Sequence, residues 1–516
     1  HVVTIPSSMG AAAAKSITCS TGDGGQLVLR QNNTLTVTND IAFDKSNDGM
    51  ILYAQNGDFS TVTFGGTYLS GKKTTIIKRL SQDKWTLVSS GLSNAKQFKT
   101  LDDSRNYTVK VGSTHAFASY NDAAASGSKY TYVVDGYGTG PTWGSGVGYS
   151  TKSDEITGAL ETADVKHDLV FQGDLHAGNV DVTLSTGGFG FNLVGNPFPT
   201  YLYGNSNANA TNVLTENLGV LVEQTMWFWD SDNEVWVTKN QSDAAYHINP
   251  VQGFFVKASS AGNFSFTEAM QTHTSNSDAF LKSSTNNRFE IDLSIATGGL
   301  VRTTSVRYIN NTTASFDNGY DSSLFGGYSS GLEVYTNLVE NNTGKKLAIQ
   351  SLPNANYEDM VIPVGVTASV NSKIKFTAAA LNVPTGYKVL LEDREAGVFT
   401  RLDEANAEYN ATVTESSTNG RFFLYITQDA SLSVDSEYLN SISIYKTDHS
   451  NLTISGLKQG QASLKLYDVY GKQVMHTVFK ADNVVKNIAL NKSLARGVYI
   501  VQLETENGNL SKKIIF

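Results

Sequence analysis

The sequence predicts an all-β, multidomain protein, and three observations carry that expectation. Its 516 residues exceed what a single hydrophobic core comfortably holds. It contains 45 Gly and only 8 Pro, and it is crowded with Thr, Ser, Asn, Val and Tyr, the residues of strands and turns. Helical periodicity is almost absent, while short alternating and continuous apolar runs recur from end to end. Changes of texture divide the chain into segments 1–80, 81–286, 287–430 and 431–516.

The first segment is weakly repetitive. Residues 2–5, 16–19, 26–30, 34–38, 50–54, 61–64 and 74–78 are short β runs separated by Asn, Gly, Ser and Asp. Runs at near-regular spacing predict a short parallel β-helix-like segment, in which each rung buries its apolar face on the next. A meandering sandwich is the alternative. The chain opens His1-Val2-Val3-Thr4-Ile5-Pro6 without an initiator Met, as after removal of a signal peptide or, the favoured expectation, where a longer protein continues upstream with further rungs.

The second segment begins at Lys84-Trp85-Thr86-Leu87-Val88. It holds Gly146-Val147-Gly148-Tyr149-Ser150, residues 169–175 and Gly195-Asn196-Pro197-Phe198-Pro199, then Met226-Trp227-Phe228-Trp229-Asp230 and Gly253-Phe254-Phe255-Val256. In this order the pieces resemble a β-sandwich module common in large Bacteroidetes surface proteins. The third segment starts with Arg288-Phe289-Glu290-Ile291-Asp292-Leu293 and ends with Arg421-Phe422-Phe423-Leu424-Tyr425-Ile426, both alternating strands. It resembles the second sandwich that commonly precedes the tail of such proteins. Residues 429–437, small and polar, read as a linker.

The last segment carries three runs. Leu466, Tyr467 and Asp468 lead into a turn at Tyr470-Gly471-Lys472, where Gly471 suits a positive φ. Gly497, Val498 and Tyr499 open a strand, and Lys512, Lys513 and Ile514 sit at the chain end. In that order the runs resemble the type A C-terminal sorting domain of the Bacteroidetes type IX secretion system, the Por-secretion tail. The resemblance implies an Ig-like β-sandwich over 431–516 whose motif residues form a sorting signal. It further implies export across the outer membrane, to the cell surface or the extracellular space. The implied partners are the type IX translocon and its outer-membrane shuttle barrel, with attachment to lipopolysaccharide after processing, or a retained tail.

Bulk properties narrow the remaining functions. A net charge of −9 and a pI near 5.4, with no dense Lys/Arg stripe, argue against nucleic acid. The single Cys19 allows no internal disulfide. Eight scattered histidines show no metal-ligand spacing, and no nucleophile elbow, zincin helix or phosphate loop is present. The expectation is therefore no catalytic residues. Trp227, Trp229 and the nearby Trp236 are candidates for stacking on a sugar, with burial in a sandwich core as the competing reading. Asp230, Asp232, Asp317 and Asp321 offer oxygens to calcium, but in spacings that acidic turns also explain. No other cofactor is indicated.

Together these features predict a non-enzymatic, exported structural or adhesin-like surface protein. A carbohydrate-binding surface module is the first alternative, with a surface glycan or protein as ligand. Accessory domains of an enzyme lying upstream of residue 1 are the second.

Overall fold

The computed structural model describes residues 2–515 apart from 7, 20–24, 44–48, 56–57, 70–72, 94–107, 135–142, 154–167, 276–287, 327–330, 429–441, 447–450, 482–484, 491–493, 495–496 and 507. The linker read at 429–437 lies outside the described residues, as do Phe516 and the side chain of Cys19. Two compact units divide at Thr285/Asn286.

The first unit opens with three parallel ladders. Strands Val2–Ile5, Gln26–Leu29, Gly49–Gln55 and Lys73–Arg79 stack in one, so that Val3 lies opposite Leu27, Leu27 opposite Met50 and Met50 opposite Thr74. Ala11–Ala14, Thr34–Val37 and Thr61–Phe64 form the second, and Ile17–Cys19, Ile41–Phe43 and Tyr68–Leu69 the third. The chain visits the three ladders in turn, and Leu29, Leu35, Val37, Ile41, Phe43, Met50, Leu52 and Val62 point into a shared interior. The pairing of rungs before Leu80 is thus parallel, apart from the two-residue strand Asp58–Phe59 folded back on Gly49–Gln55.

Lys73–Arg79 does not end as an open edge. Its outer side pairs antiparallel with Asp168–Gly173, reinforced where Arg79 Nε donates to Asp168 Oδ1 at 3.0 Å. The buried cluster of the rungs accordingly runs on into Val88, Leu92, Phe117, Trp143, Tyr149, Phe171 and Val251. Two large antiparallel sheets follow, alongside two smaller ones. One of the large pair contains Trp85–Ser89, Gly148–Lys152, Thr114–Tyr120 and Tyr130–Val134. The other contains Phe191–Gly195, Gly253–Lys257, Thr225–Asp230 and Val235–Asn240. Their backbones approach closely at Gly253, where an added Cβ would lie 2.9 Å from the Val88 carbonyl oxygen. A second cluster, with Val194, Phe198, Met226, Phe228, Phe254 and Phe266, fills the far side.

The second unit is built on one long sheet. Its order runs from Val398–Arg401 through Lys388–Asp393, Phe422–Thr427, Ile362–Thr367, Glu333–Thr336, Leu347–Pro353, Leu300–Ile309, Glu290–Thr297 and Lys373–Leu381 to Tyr409–Thr412. Ile291, Leu293 and Ile295 from one half share a buried cluster with Ile362, Val364, Phe422 and Leu424 from the other, so the sheet folds over its own core. The buried Arg421 guanidinium grips Asp393 with two hydrogen bonds, 2.9 and 2.7 Å long, across this sheet.

The C-terminal part is a separate sandwich. Ser443–Lys446, Asn451–Ser455 and Val485–Ala489 form one antiparallel sheet. Gln473–Ala481, Gly460–Asp468, Val498–Thr505 and Gly508–Ile515 form the other. Ile442, Ile444, Leu452, Ile454, Leu464, Leu466, Val501 and Leu503 make the core between them.

Candidate functional site

Strand alternation sorts the terminal runs into two sets. Leu466, Tyr499, Val501 and Ile514 face inward and are buried. On the opposite face Tyr467 lies across from Ile500, and Ile500 across from Lys513. One outer row therefore collects a residue from each of the three runs. Ile500 is 46% exposed there, flanked by the Lys513 position on the edge strand. Sequence reasoning did not single out Ile500, although its place between Tyr499 and Val501 in an alternating strand was the available signal.

The two lysines of the terminal run consequently do different things. Lys513 is exposed. Lys512 turns inward, and its Nζ donates to the Ile442 carbonyl at 2.8 Å. Burial pulls the Lys512 pKa below the ordinary lysine value, opposed by the Glu340 carboxylate.

The turn at the end of the outer row is held by one carboxylate. Asp468 Oδ1 accepts from Tyr470 N at 2.9 Å and from Lys472 N at 3.0 Å, while the Gly471 N–H donates to the Asp468 carbonyl. Gly471 has φ +78°, a conformation L side chains resist, and space around it is open. This bracing projects Val469 and Tyr470 into solvent, with Tyr470 92% exposed. A tyrosine so exposed contributes nothing to the core of the sandwich and is open to contact from solvent. By contrast, a Cβ at Gly497 would meet only the Tyr499 ring, at 4.0 Å, so space does not require glycine there. Val498 is half-buried at the start of its strand.

The aromatic residues behave differently from one another. Trp227 is completely buried, edge-on to Phe191 at 5.4 Å, and this corrects its reading as a sugar platform. The reason is that sheets cover both faces of its strand, with Phe228 in the opposite core. Trp229 and Trp236 are only half-buried and pack edge-on at 5.0 Å. From Trp236 an aromatic file continues through Phe255, Tyr120 and Tyr130. Tyr132, on the same strand as Tyr130, packs against Trp85, and these two rings are 40% and 37% exposed. Thr86 meets Ser231 at 3.1 Å, which brings the Trp85 strand beside the turn that follows Trp229. The Trp229 indole N–H is buried without a hydrogen-bond partner. Burial raises the Tyr132 pKa, in keeping with an apolar setting.

The acidic turns are occupied by their own backbone. Asp230 Oδ1 accepts from the N–H groups of Asp232 and Asn233, and Asp232 Oδ1 accepts from Ser81. Asp317 accepts from Thr313, and the fully buried Asp321 accepts from Asp317 N and Ser351 N, both at 2.6 Å. Burial pushes the Asp321 carboxyl up to about 7. Among the described residues no group of three or more His, Cys, Asp or Glu is placed to hold a metal ion. No helix among them is long and apolar enough to cross a membrane.

Residues 2–425 match the family described as "Domain of unknown function (DUF8693)", and residues 446–516 match the "Secretion system C-terminal sorting domain". No curated protein matches. A solved structure titled "Biofilm associated protein - BSP domain" is 10% identical over 86% of this chain and 92% of that chain, with a TM-score of 0.17. At that score the likeness carries no argument.

Proposed function

The chain belongs to the DUF8693 family and ends in a secretion system C-terminal sorting domain, and from that premise we propose that it is a non-enzymatic, adhesin-like surface protein. It is a substrate of the type IX secretion system, exported to the cell surface or the extracellular space, and its sorting domain interacts with that machinery. In the proposal, the outer row Tyr467–Ile500–Lys513 and the projecting Val469 and Tyr470 are the surface the machinery reads. The outer-membrane shuttle barrel is the proposed receptor, and lipopolysaccharide the proposed anchor after processing.

The single observation that supports this reading is the collection of three sequence-distant runs on one exposed row beside a braced turn. The non-enzymatic part rests on the sequence, which holds no constellation spaced for catalysis. Deleting residues 494–516 removes two strands of the terminal sheet and is expected to strand the protein in the periplasm. Normal surface display of that deletion, read by protease shaving of intact cells, would refute the sorting role.

A second reading concerns the work done after export. The half-exposed Trp85, Tyr132, Trp229 and Trp236, with hydroxyl and carboxylate groups of Ser231 and Asp232 alongside, favour a carbohydrate ligand. Trp85→Ala with Tyr132→Ser, at the two most exposed rings, should abolish retention on a matching glycan array while leaving the melting temperature of the first unit within a few degrees. Equal glycan retention by wild type and the double variant removes this reading.

A further inference from the structure

We propose that the terminal sandwich is held on the sandwich before it by a non-covalent interface centred on Arg394 and Tyr445, and that this interface survives cutting of the chain between them. The two sandwiches belong to one compact unit, residues 286–516, yet their buried clusters share no residue. They are two folded bodies in contact rather than one core.

The contact is specific. Arg394 is buried, and its guanidinium lies 3.5 Å from the centre of the Phe423 ring. Within its own sandwich it donates to Glu392 at 2.9 Å and to Tyr425 Oη at 3.1 Å. Its remaining arm donates to the carbonyl of Gly456 in the terminal sandwich, at 2.9 Å. Separating the sandwiches would exchange this charge-assisted hydrogen bond for one to water, so the Gly456 carbonyl gives the contact its direction and geometry.

A second anchor lies on the neighbouring strand of the same terminal sheet. Tyr445 of the terminal sandwich is buried, and its ring packs so closely on Gly344 that an added Cβ there would sit 2.9 Å from Tyr445 Cε2. Gly344, at φ +81°, supplies the flat place on which that ring rests. A buried aromatic and a fully hydrogen-bonded arginine are the residue types that concentrate binding energy at interfaces. The third element is electrostatic: Glu340 of the first sandwich acts on Lys512 of the second.

Hydrolysis of a peptide bond within 429–441 adds one water and leaves a new carboxyl and a new amine. It touches none of these contacts. The inference does not depend on what the sorting domain is read by, because it concerns only what holds that domain.

The test uses the full chain with a recognition sequence for a site-specific endopeptidase placed within 429–441. After complete cutting, verified on a denaturing gel, size-exclusion chromatography with light scattering should show one particle of the uncut mass. Tyr445→Ser in the same chain should convert that particle into two. Arg394→Lys, which keeps the charge but loses the fork, serves in its place where the uncut Tyr445→Ser protein does not melt cooperatively. Two peaks from the cut wild-type chain overturn the proposal. A single peak that neither substitution splits also overturns it, because the attachment then lies elsewhere.

Discussion

Asp468 and Tyr470 are neighbours with opposite employment. Asp468 spends its carboxylate on two backbone N–H groups of the turn, so Asp468→Ala should cost roughly 1–2 kcal/mol of terminal-sandwich stability, read by chemical denaturation. Tyr470 touches solvent on nearly all sides, so Tyr470→Ser should leave the denaturation midpoint unchanged. Under the proposed function the same substitution lowers export, measured as the surface-to-periplasm ratio. A Tyr470→Ser variant exported at the wild-type level would remove the tip from the recognition surface. Val251 is a different residue-scale case: a buried β-branched side chain at φ +61°, strained and offset by the hydrogen bond from Ser89 N to its carbonyl.

At the scale of elements, the rung ladders depend on a side chain from far along the chain. His273 Nδ1 lies 2.7 Å from Thr61 Oγ1, and its Nε2 lies 3.0 Å from Thr63 and 3.1 Å from Thr36. One imidazole thereby bridges two adjacent rungs from more than two hundred residues away. Removing it in His273→Ala should destabilise the first unit by roughly 1–2 kcal/mol and raise hydrogen exchange first in Thr34–Val37 and Thr61–Phe64. Protection unchanged in both strands would show that the ladder stands without it. Most rung strands were legible as β runs, whereas Ala11–Ala14, Ile41–Phe43 and Tyr68–Leu69 were not. Alanine has little strand preference, and two- or three-residue strands are too short to show alternation. Those strands exist because longer neighbours on the other ladders fix where the chain must pass.

At the scale of the molecule, the two units should respond oppositely to pH. Burial lowers His176 from its ordinary 6.5 to about 4, against a hydrogen bond to Leu92 that favours the charged form. Its proton therefore binds the unfolded chain first. The first unit keeps this contribution above pH 6.5 and loses it as pH falls towards 4, on the order of 3 kcal/mol. Asp321 in the second unit has a raised pKa, from 3.8 to about 7, through burial. Its contribution is full below pH 3.8 and is lost as pH rises towards 7. Calorimetry between pH 4 and pH 8 should resolve two transitions moving in opposite directions, the first flattened by His176→Gln. Parallel movement of both transitions would show that neither group governs its unit.

By itself the sequence determined the all-β class, because composition and short-range alternation are local properties that strands and turns express directly. It also determined the sorting tail, since three runs in fixed order at the chain end are visible without any contact between them. Tertiary structure alone decided which residues of those runs face out. It placed Ile500 beside Tyr467 and Lys513, turned Lys512 inward to Ile442, and buried Trp227 while leaving Trp229 and Trp236 half-open. The physical reason is that burial and pairing are set by what lies across a sheet or on top of it. A strand of period two offers two faces, and only the partner packed against one of them settles which is the inside.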